Sequence, residues 1–278
     1  MDISSLIDWR GILIVAVIFI PLEQILSLHE HQKPWRRGWM NDVFYLLFNG
    51  LPITLSFVAI VGVVMMAVDA AVPTGLQAWV QGWPLLVQLV VVIVIADLGF
   101  YCAHRTFHAV PWLWRFHSVH HSIEEMDWLA AHRVHPVDQI ITMSASLLPV
   151  YALGFDPAAI ALYAVIYHWQ ALLVHSNVKL NFGPLRWIVA SPQFHHWHHA
   201  NERHAYDKNF AGQLPIIDAI AGTLHMPARM PLAYGCDDPV PPLYHQQLIY
   251  PLLPKAAFTA PARSTAEPAL PMSRPAEA

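Results

Sequence analysis

The sequence predicts an all-α integral membrane bundle of four to five spans, with a cytosolic helical cap that holds a histidine-rich dinuclear metal site. Two observations predict this class. Charged residues make up 12% and hydrophobic residues 56% of the 278 residues, whereas soluble domains carry about 25% charged residues. In addition, histidines recur in short arrays at spacings of three and four residues, which place side chains on one face of a helix.

The first hundred residues offer up to three spans. The apolar segment 11–28 is interrupted by a proline and two polar residues, and we interpret it as a first span, with a tilted interfacial helix as the alternative. It does not resemble a cleaved signal peptide, because its leading flank is acidic and no small-x-small site follows. Of the uncharged stretches 43–68 and 70–96, the first meets the roughly 20-residue length of a span. The second is expected to span only from about Pro84.

A helical hairpin is expected in the second half. Segments 139–155 and 157–178 are apolar and meet at Gly154-Phe155-Asp156-Pro157, a turn signal with a helix-starting proline. Before them, Ser122-Ile123-Glu124-Glu125 is a helix-start signature, so a new helix is expected to begin at Ser122.

The basic residues predict the orientation. Of the 15 Lys and Arg residues, 14 fall in segments 28–41, 104–137 and 178–278. These segments should share one side, which the positive-inside rule makes cytoplasmic. All the histidine arrays lie in or beside them, so the metal site is expected on the cytoplasmic face. The net charge of −4 gives no reason to expect nucleic acid binding.

One domain and a tail are expected. Residues 1–238 form the membrane domain, with a motif core at 84–227, and 239–278 form a Pro/Ala-rich tail that we expect to be disordered from about residue 255. Two cysteines are too few for a disulfide framework.

The histidine arrays predict two metal ions. Imidazole binds zinc, copper, iron and nickel, and nine imidazoles exceed what one four-coordinate site can use. Three arrays lie at ligand spacing, and one further histidine ends the last span, from which it can reach the arrays. The predicted ligands are His104, His108, His117, His120, His121, His175, His195, His198 and His199.

Asp97 is the predicted outer support of the site. It lies on the same helical stripe as His104 and His108, and a carboxylate at that depth needs a partner. We expect it to accept an N–H from a ligating histidine and so fix the orientation of that ring. The alternative is an ion pair with Arg105 or Arg115.

Other residues are candidates for the metal or its surroundings. His132 and His135 could be ligands, or could anchor their loop or bind an acyl headgroup, because Pro136 ends local helical order. His168 could touch metal or be a hydrogen-bonded core residue. The spacing places His196 off the ligand face, whereas His204 and Asp207 suit outer support. The complete set is His132, His135, His168, His196, His204, Asp97 and Asp207.

Several other chemistries are excluded by missing motifs. No glutamate heads a Glu-x-x-His pair and no His-Glu-x-x-His occurs, which argues against a carboxylate-bridged di-iron bundle and a zinc protease. Nucleophile-elbow, P-loop and dinucleotide motifs are also missing. Oxygen activation remains the leading chemistry. The rival is a non-catalytic metal-binding or transport protein, which would need ionisable residues along its spans.

The motifs resemble those of the fatty acid hydroxylase and sterol desaturase superfamily. The resemblance rests on His-x3-His, His-x2-His-His, a lone His before Ser176-Asn177, and His-x2-His-His, together with Arg133-x-His135-Pro136. Residues 207–212 are similar to the same region of alkylglycerol monooxygenase-like members, and the likeness covers residues 84–227. One departure is Lys179, where some members have a histidine. One metal would then be completed by His132, His135 or water.

The resemblance implies a non-heme di-iron centre that uses O₂ as co-substrate and hydroxylates a lipid, such as an acyl chain, an alkyl lipid or a sterol-like molecule. Desaturation or C–C cleavage is the alternative within the superfamily. No heme or flavin motif is present, so a separate electron-transfer protein of cytochrome or ferredoxin type is expected.

Overall fold

The structure, a computed structural model, describes residues 9–254. Its helices are α1 Trp9–Ile25, α2 Trp39–Phe48, α3 Gly50–Ala71, α4 Thr74–Gln81, α5 Leu85–Ala109, α6 Pro111–His121, α7 Pro136–Ala152, α8 Pro157–His175, α9 Pro192–His198, α10 Pro215–Ala221 and α11 Tyr244–Ile249. Short 3₁₀ turns occur at Trp128–His132, Gly183–Trp187, Arg203–Ala205 and Tyr250–Leu252. Extended pairing within these residues is limited to two isolated bridges. The predicted all-α class is confirmed.

Three helices are long and apolar enough to cross a membrane, namely α3, α5 and α8. The predicted count of four to five is therefore not confirmed. The helices α1 and α7 have 17 residues each, slightly short of the roughly 20 residues that a perpendicular span needs. The uncharged stretch 43–68 is not one span, because α2 ends and α3 begins on either side of Asn49. The predicted start of a span near Pro84 is confirmed by α5.

The central helix of the bundle is α5, which packs against both α7 and α8. Gly99 permits this packing, since a Cβ there would collide with the backbone carbonyl of Ala145 in α7. The predicted hairpin is present: α7 and α8 are joined by a turn in which Gly154 adopts a φ of +74°. Asp156 then caps α8 by accepting the Ala158 N–H at 2.7 Å.

A buried ion network ties the cap to the bundle. The Arg36 guanidinium contacts Asp42 at 2.6 Å and Asp127 at 2.5 Å, and Arg133 pairs with Asp42 as well. Asp127 also caps the Trp128–His132 turn by accepting the Ala130 N–H. The predicted helix start at Ser122 was wrong. Ser122 ends α6, because the stronger cap, Asp127, lies five residues later.

The proline-rich stretch 239–254 packs against the body. It contains α11, and Tyr250 is fully buried beside Tyr45 and Val119. Arg115 donates a hydrogen bond to the Tyr250 carbonyl at 2.7 Å. This aromatic anchor explains how a segment rich in proline is held. The disorder expected from residue 255 lies outside the described residues.

Candidate metal centre

The nine predicted histidines converge into two groups at one end of the bundle. Within each group the candidate ligand atoms all lie within 4.8 Å of one another. We call the first the five-histidine group; it contains His104, His108, His117, His121 and His198. The second, the four-histidine group, contains His120, His175, His195 and His199.

The helices divide the arrays between the groups. After α5 presents His104 and His108 one turn apart, the chain reverses at Val110 and α6 returns beside α5. Residues four apart share a helix face, so His117 and His121 face α5. His120 lies on another face and joins the histidine at the end of α8. The third array is divided in the same way across α9.

Backbone carbonyls fix the protonation pattern of four rings. A carbonyl oxygen can only accept, so each of these rings must carry its proton on Nδ1 and a lone pair on Nε2. The pairs are His104 with Phe210 at 2.7 Å, His120 with Arg133 at 2.9 Å, His175 with Ala171 at 2.7 Å, and His198 with Lys208 at 2.8 Å.

Two carboxyl groups contact the Nδ1 atoms of two further rings in the five-histidine group. Asp138 accepts from His117 Nδ1 at 2.7 Å, and its side chain is only 2% exposed. Asp207 accepts from His108 Nδ1 at 3.2 Å, but its side chain is 72% exposed. The hydrogen bond to His108 lowers the pKa of Asp207. Only the Asp138 contact is shielded from solvent.

The inner nitrogens face one another without hydrogens between them. His104 Nε2 lies 2.9 Å from His117 Nε2, and His120 Nε2 lies 3.2 Å from His175 Nε2. Because the outer partners hold the protons on Nδ1, these are contacts between lone pairs and are repulsive unless a cation lies between them. Metal–nitrogen bonds of about 2.0–2.1 Å place neighbouring ligands roughly 2.9–3.4 Å apart. The donor set and its spacing therefore fit one metal ion in each group.

Burial keeps the imidazole rings of the two groups uncharged. Desolvation, followed by repulsion from neighbouring rings, holds the pKa of His117, His121 and His199 well below its usual value. Desolvation lowers the pKa of His120 to about 4. At neutral pH these imidazoles are uncharged, which is the state that binds metal.

The predicted role of Asp97 was wrong. Its carboxylate accepts three backbone N–H groups, from Gly212, Gln213 and Leu214, at 2.7–3.0 Å. It is hydrogen-bonded neither to a predicted ligand histidine nor to Arg105 or Arg115. The loop after the third array lies along α5, and its backbone N–H groups occupy this carboxylate in place of a histidine. Asp97 therefore acts on the site indirectly, through the loop whose Phe210 carbonyl orients His104.

The remaining candidates mostly lie away from the two groups. His196 is fully buried off the ligand face and contacts the Tyr234 hydroxyl and the Ser176 carbonyl. The outer support expected of His204 was wrong, since this ring lies half-exposed beside Glu202 at 3.7 Å. The loop that carries His204 continues past the groups and brings Asp207, not His204, to His108.

His132 and His135 belong to neither group. His135 anchors its loop, the alternative that was left open: its Nδ1 accepts the Val137 N–H and its Nε2 donates to the Leu248 carbonyl. The ring of His132 lies 6.4 Å from that of His168, between centroids. Neither residue takes the place of the histidine that some members have where Lys179 stands, because the four-histidine group does not include them.

Asp138 was missed by the sequence analysis. The available signal was a single carboxylate in the first turn of a mostly apolar helix, two residues after Pro136. Its role depends on α7 packing against α6, which spacing along the chain does not reveal. The carbonyls of Phe210, Lys208 and Arg133 carry no sequence signal, because every residue has one.

One pocket opens at the histidines, and one groove lies on the side of α8. A pocket of about 350 Å³ reaches the five-histidine group at His108, His121 and His198. Its wall carries three carboxylates and two aromatic side chains, those of Asp207, Asp237, Asp238, Trp114 and Tyr206. An apolar groove of about 420 Å³ lies between α1 and α8. It reaches Leu173, two residues before His175 of the four-histidine group.

Comparisons with known proteins show relatives of this chain. A family model described as fatty acid hydroxylase matches residues 89–223. The chain is 30% identical over 228 residues to an ornithine lipid hydroxylase from Rhizobium tropici, which covers 77% of this chain and 67% of that protein. It is 35% identical over 144 residues to the alkylglycerol monooxygenase of Homo sapiens, covering 52% of this chain and 32% of that protein.

A very-long-chain aldehyde decarbonylase of Oryza sativa is 29% identical over 136 residues, covering 45% of this chain and 21% of that protein. The chain thus spans about two thirds of the bacterial relative and a third or less of the human and plant proteins. No solved structure matches the chain. The family model falls on the helices that carry the histidines, and the bacterial relative extends the match over most of the chain, so the chain belongs to the fatty acid hydroxylase family.

Proposed function

We propose that the chain is a membrane-bound, O₂-dependent di-iron oxidoreductase that hydroxylates a lipid. One observation carries the proposal: two groups of buried imidazoles direct lone pairs at one another. Relatives that are a lipid hydroxylase and a monooxygenase support oxygen insertion as the chemistry. The substrate would be an acyl chain, an alkyl lipid or a sterol-like molecule.

The five-histidine group and the four-histidine group would each hold one iron. Bound there, the pair supplies the reduction of O₂ by two external electrons, with the balance RH + O₂ + 2e⁻ + 2H⁺ → ROH + H₂O. The protein's own task is to hold the rings. Asp138 fixes the His117 ring, and the carbonyls of Phe210 and Arg133 fix His104 and His120. This preorganisation favours binding of both ions without rearrangement.

The substrate would reach the site from the membrane. The groove between α1 and α8 is walled by apolar side chains, including Phe19 and Leu173. Ala190, five residues before His195, also lines it. An apolar chain can lie in such a groove without exposing its surface to water. The pocket beside His108 opens on the polar side of the cap and would admit water and protons.

Electrons would come from a separate protein of cytochrome or ferredoxin type. The distribution of Lys and Arg favours the cytoplasm for the metal-site face, and the donor would meet the protein there.

Metal content tests the first half of the proposal. Protein purified without oxygen should contain close to two irons per chain by elemental analysis. His104→Ala and His175→Ala should each reduce this number toward one, because each removes a ligand from a different group. His31→Ala and His245→Ala should leave it at two, since both residues are exposed. One iron per chain in the unaltered protein, or zinc despite ample iron, contradicts the di-iron assignment.

Isotope labelling tests the second half. Protein reconstituted in lipid with a reductase system under ¹⁸O₂ should give a lipid product that carries the heavy oxygen. A desaturated product without the heavy oxygen would show that the reaction is desaturation and not hydroxylation. If a preparation with two irons consumes no O₂ across a broad lipid panel, the oxygenase proposal fails.

A further inference from the structure

Charge is unevenly distributed over the cap. Residues 182–190 and 211–221 contain one charged residue each, Arg186 and Asp218. Residues 200–209, which lie between them in sequence, contain four, as Glu202, Arg203, Asp207 and Lys208. We refer to segments 182–190 and 211–221 together as the apolar wedge. Segment 200–209 is therefore charged and suited to water, whereas the apolar wedge is almost free of charge.

The two segments of the wedge form one surface. The Gly183–Trp187 turn packs against α10, and Asp218 points inward and is buried. The outward side chains are large and apolar, and six of them are exposed: Leu185, Trp187, Ile188, Val189, Ile216 and Ile220. An exposed apolar patch of this kind on a soluble surface usually marks an interaction site.

The position of the wedge along α5 gives its depth. This helix runs toward the histidines, which lie at its end. Asp97 precedes His104 by seven residues, so it lies roughly 10 Å back toward the middle of the span, at 1.5 Å per residue. The wedge residues Gly212, Gln213 and Leu214 donate their backbone N–H groups to Asp97. The wedge therefore lies beside the membrane-spanning part of α5, below the level of the metal centre.

A second helix gives the same depth independently. Gln170 precedes His175 by five residues in α8, roughly 7.5 Å back along that helix. The Gln213 side chain donates to Gln170 Oε1 at 2.9 Å, and Gln170 Nε2 donates to the Ala190 carbonyl at 3.3 Å. Both segments of the wedge are thus fixed at this level of α8. A hydrocarbon core about 30 Å thick that begins near the start of α5 would include this level.

The backbone N–H groups at the start of segment 211–221 have protein partners and do not need water. Irregular backbone is tolerated at membrane depth only where its polar groups have protein partners. Five consecutive N–H groups, those of residues 210–214, donate to just two buried carboxylates. Asp218 accepts from Phe210 and Ala211, both at 2.8 Å, and Asp97 accepts from the other three. Two carboxylates therefore satisfy a loop that has no helix or sheet of its own.

We propose that the apolar wedge is immersed among the lipid acyl chains of the leaflet on the metal-site side. Its partner is the bilayer itself, since the wedge is hydrogen-bonded to Asp97 of α5 and Gln170 of α8, two helices that are long and apolar enough to span a membrane. Arg186 lies over the Trp187 ring at 4.9 Å. In that position an arginine can extend its guanidinium to the headgroups while its stem stays in the apolar layer. The third histidine array is then supported by the apolar wedge, which lies inside the membrane.

Depth-dependent quenching tests the proposal without relying on activity or iron. We would attach the fluorophore NBD to Ile220→Cys in a Cys102→Ser, Cys236→Ser background and place the protein in nanodiscs. The matched control is Leu232→Cys, because Leu232 is 85% exposed and Ile220 82%. Leu232 lies beside the exposed Glu202–Arg229 ion pair, on the charged part of the cap.

We expect the probe at position 220 to emit at shorter wavelength than the probe at 232, to be quenched by doxyl-labelled lipids and to be protected from iodide. The probe at 232 should show the opposite pattern. Iodide quenching at 220 equal to that at 232 overturns the proposal. Protection from both quenchers also overturns it, because it would mean that protein covers the wedge, such as a second copy of the chain.

Discussion

The contact between Asp138 and His117 predicts an effect on one metal site only. Asp138→Asn keeps the size of the side chain but removes the ionisable carboxyl group, so the His117 ring loses the buried carboxyl partner of its Nδ1. We expect iron affinity of the five-histidine group to fall roughly 10–100-fold, while the four-histidine group keeps its iron. The iron that the variant retains against a series of chelators of increasing strength measures the affinity of each group. Tight binding of the remaining iron shows that the variant is folded.

Asp207→Asn is the informative comparison. Asp207 also accepts from a ring of the five-histidine group, but its side chain is 72% exposed, so water screens the interaction. We expect a smaller loss of affinity than in Asp138→Asn. Equal losses would show that burial does not decide the effect, and no loss in Asp138→Asn would remove its positioning role. Asp69→Asn, an exposed change far from the histidines, should have no effect.

The close approach of α5 and α7 predicts opposite results for two helical glycines. Gly99→Ala places a methyl group on the Ala145 carbonyl and 3.1 Å from Ser146 Cα. Backbone cannot move aside cheaply, so we expect a loss of about 1–3 kcal/mol in stability. Gly62→Ala in α3 meets nothing within 4 Å and should be neutral or gain about 0.5–1 kcal/mol. Thermal unfolding in detergent measures both, and similar melting temperatures for the two variants would contradict this account of the packing.

The elements also show what the sequence could and could not predict. Ligand spacing within the arrays identified eight of the nine histidines that the structure brings together, because residues three and four apart lie on one side of a helix. The ninth, His175, was identified by its position at the end of the last predicted span. It could not assign His120 and His121 to different groups, since that depends on where α8 and α9 stand relative to α6. Asp97 was misassigned for a similar reason. Its position on the histidine stripe was visible in the sequence, but the loop at residues 212–214 that occupies it was not.

For the whole molecule, the number of spans decides which side the metal centre faces. Among the described residues, α3 and α5 are both apolar enough to span, and α4 lies between them. If α3 and α5 each cross once, α4 lies on the side opposite to the histidines. The distribution of Lys and Arg then favours the cytoplasm for the histidine end. The helices α7 and α8 leave this arrangement unchanged, because Asp138 near the start of α7 and His175 at the end of α8 both lie at the histidine end.

Labelling by a membrane-impermeant maleimide in intact cells tests this arrangement. In a Cys102→Ser, Cys236→Ser background, Thr74→Cys in α4 should react from outside. His245→Cys in α11 should react only after the membrane is made permeable. Both positions are exposed, so a difference in labelling reports sidedness and not burial. Each variant should also keep its iron, which shows that the bundle is intact. Labelling of both from the same side would contradict the crossing of α5, and labelling of His245→Cys alone from outside would place the metal centre on the outer face.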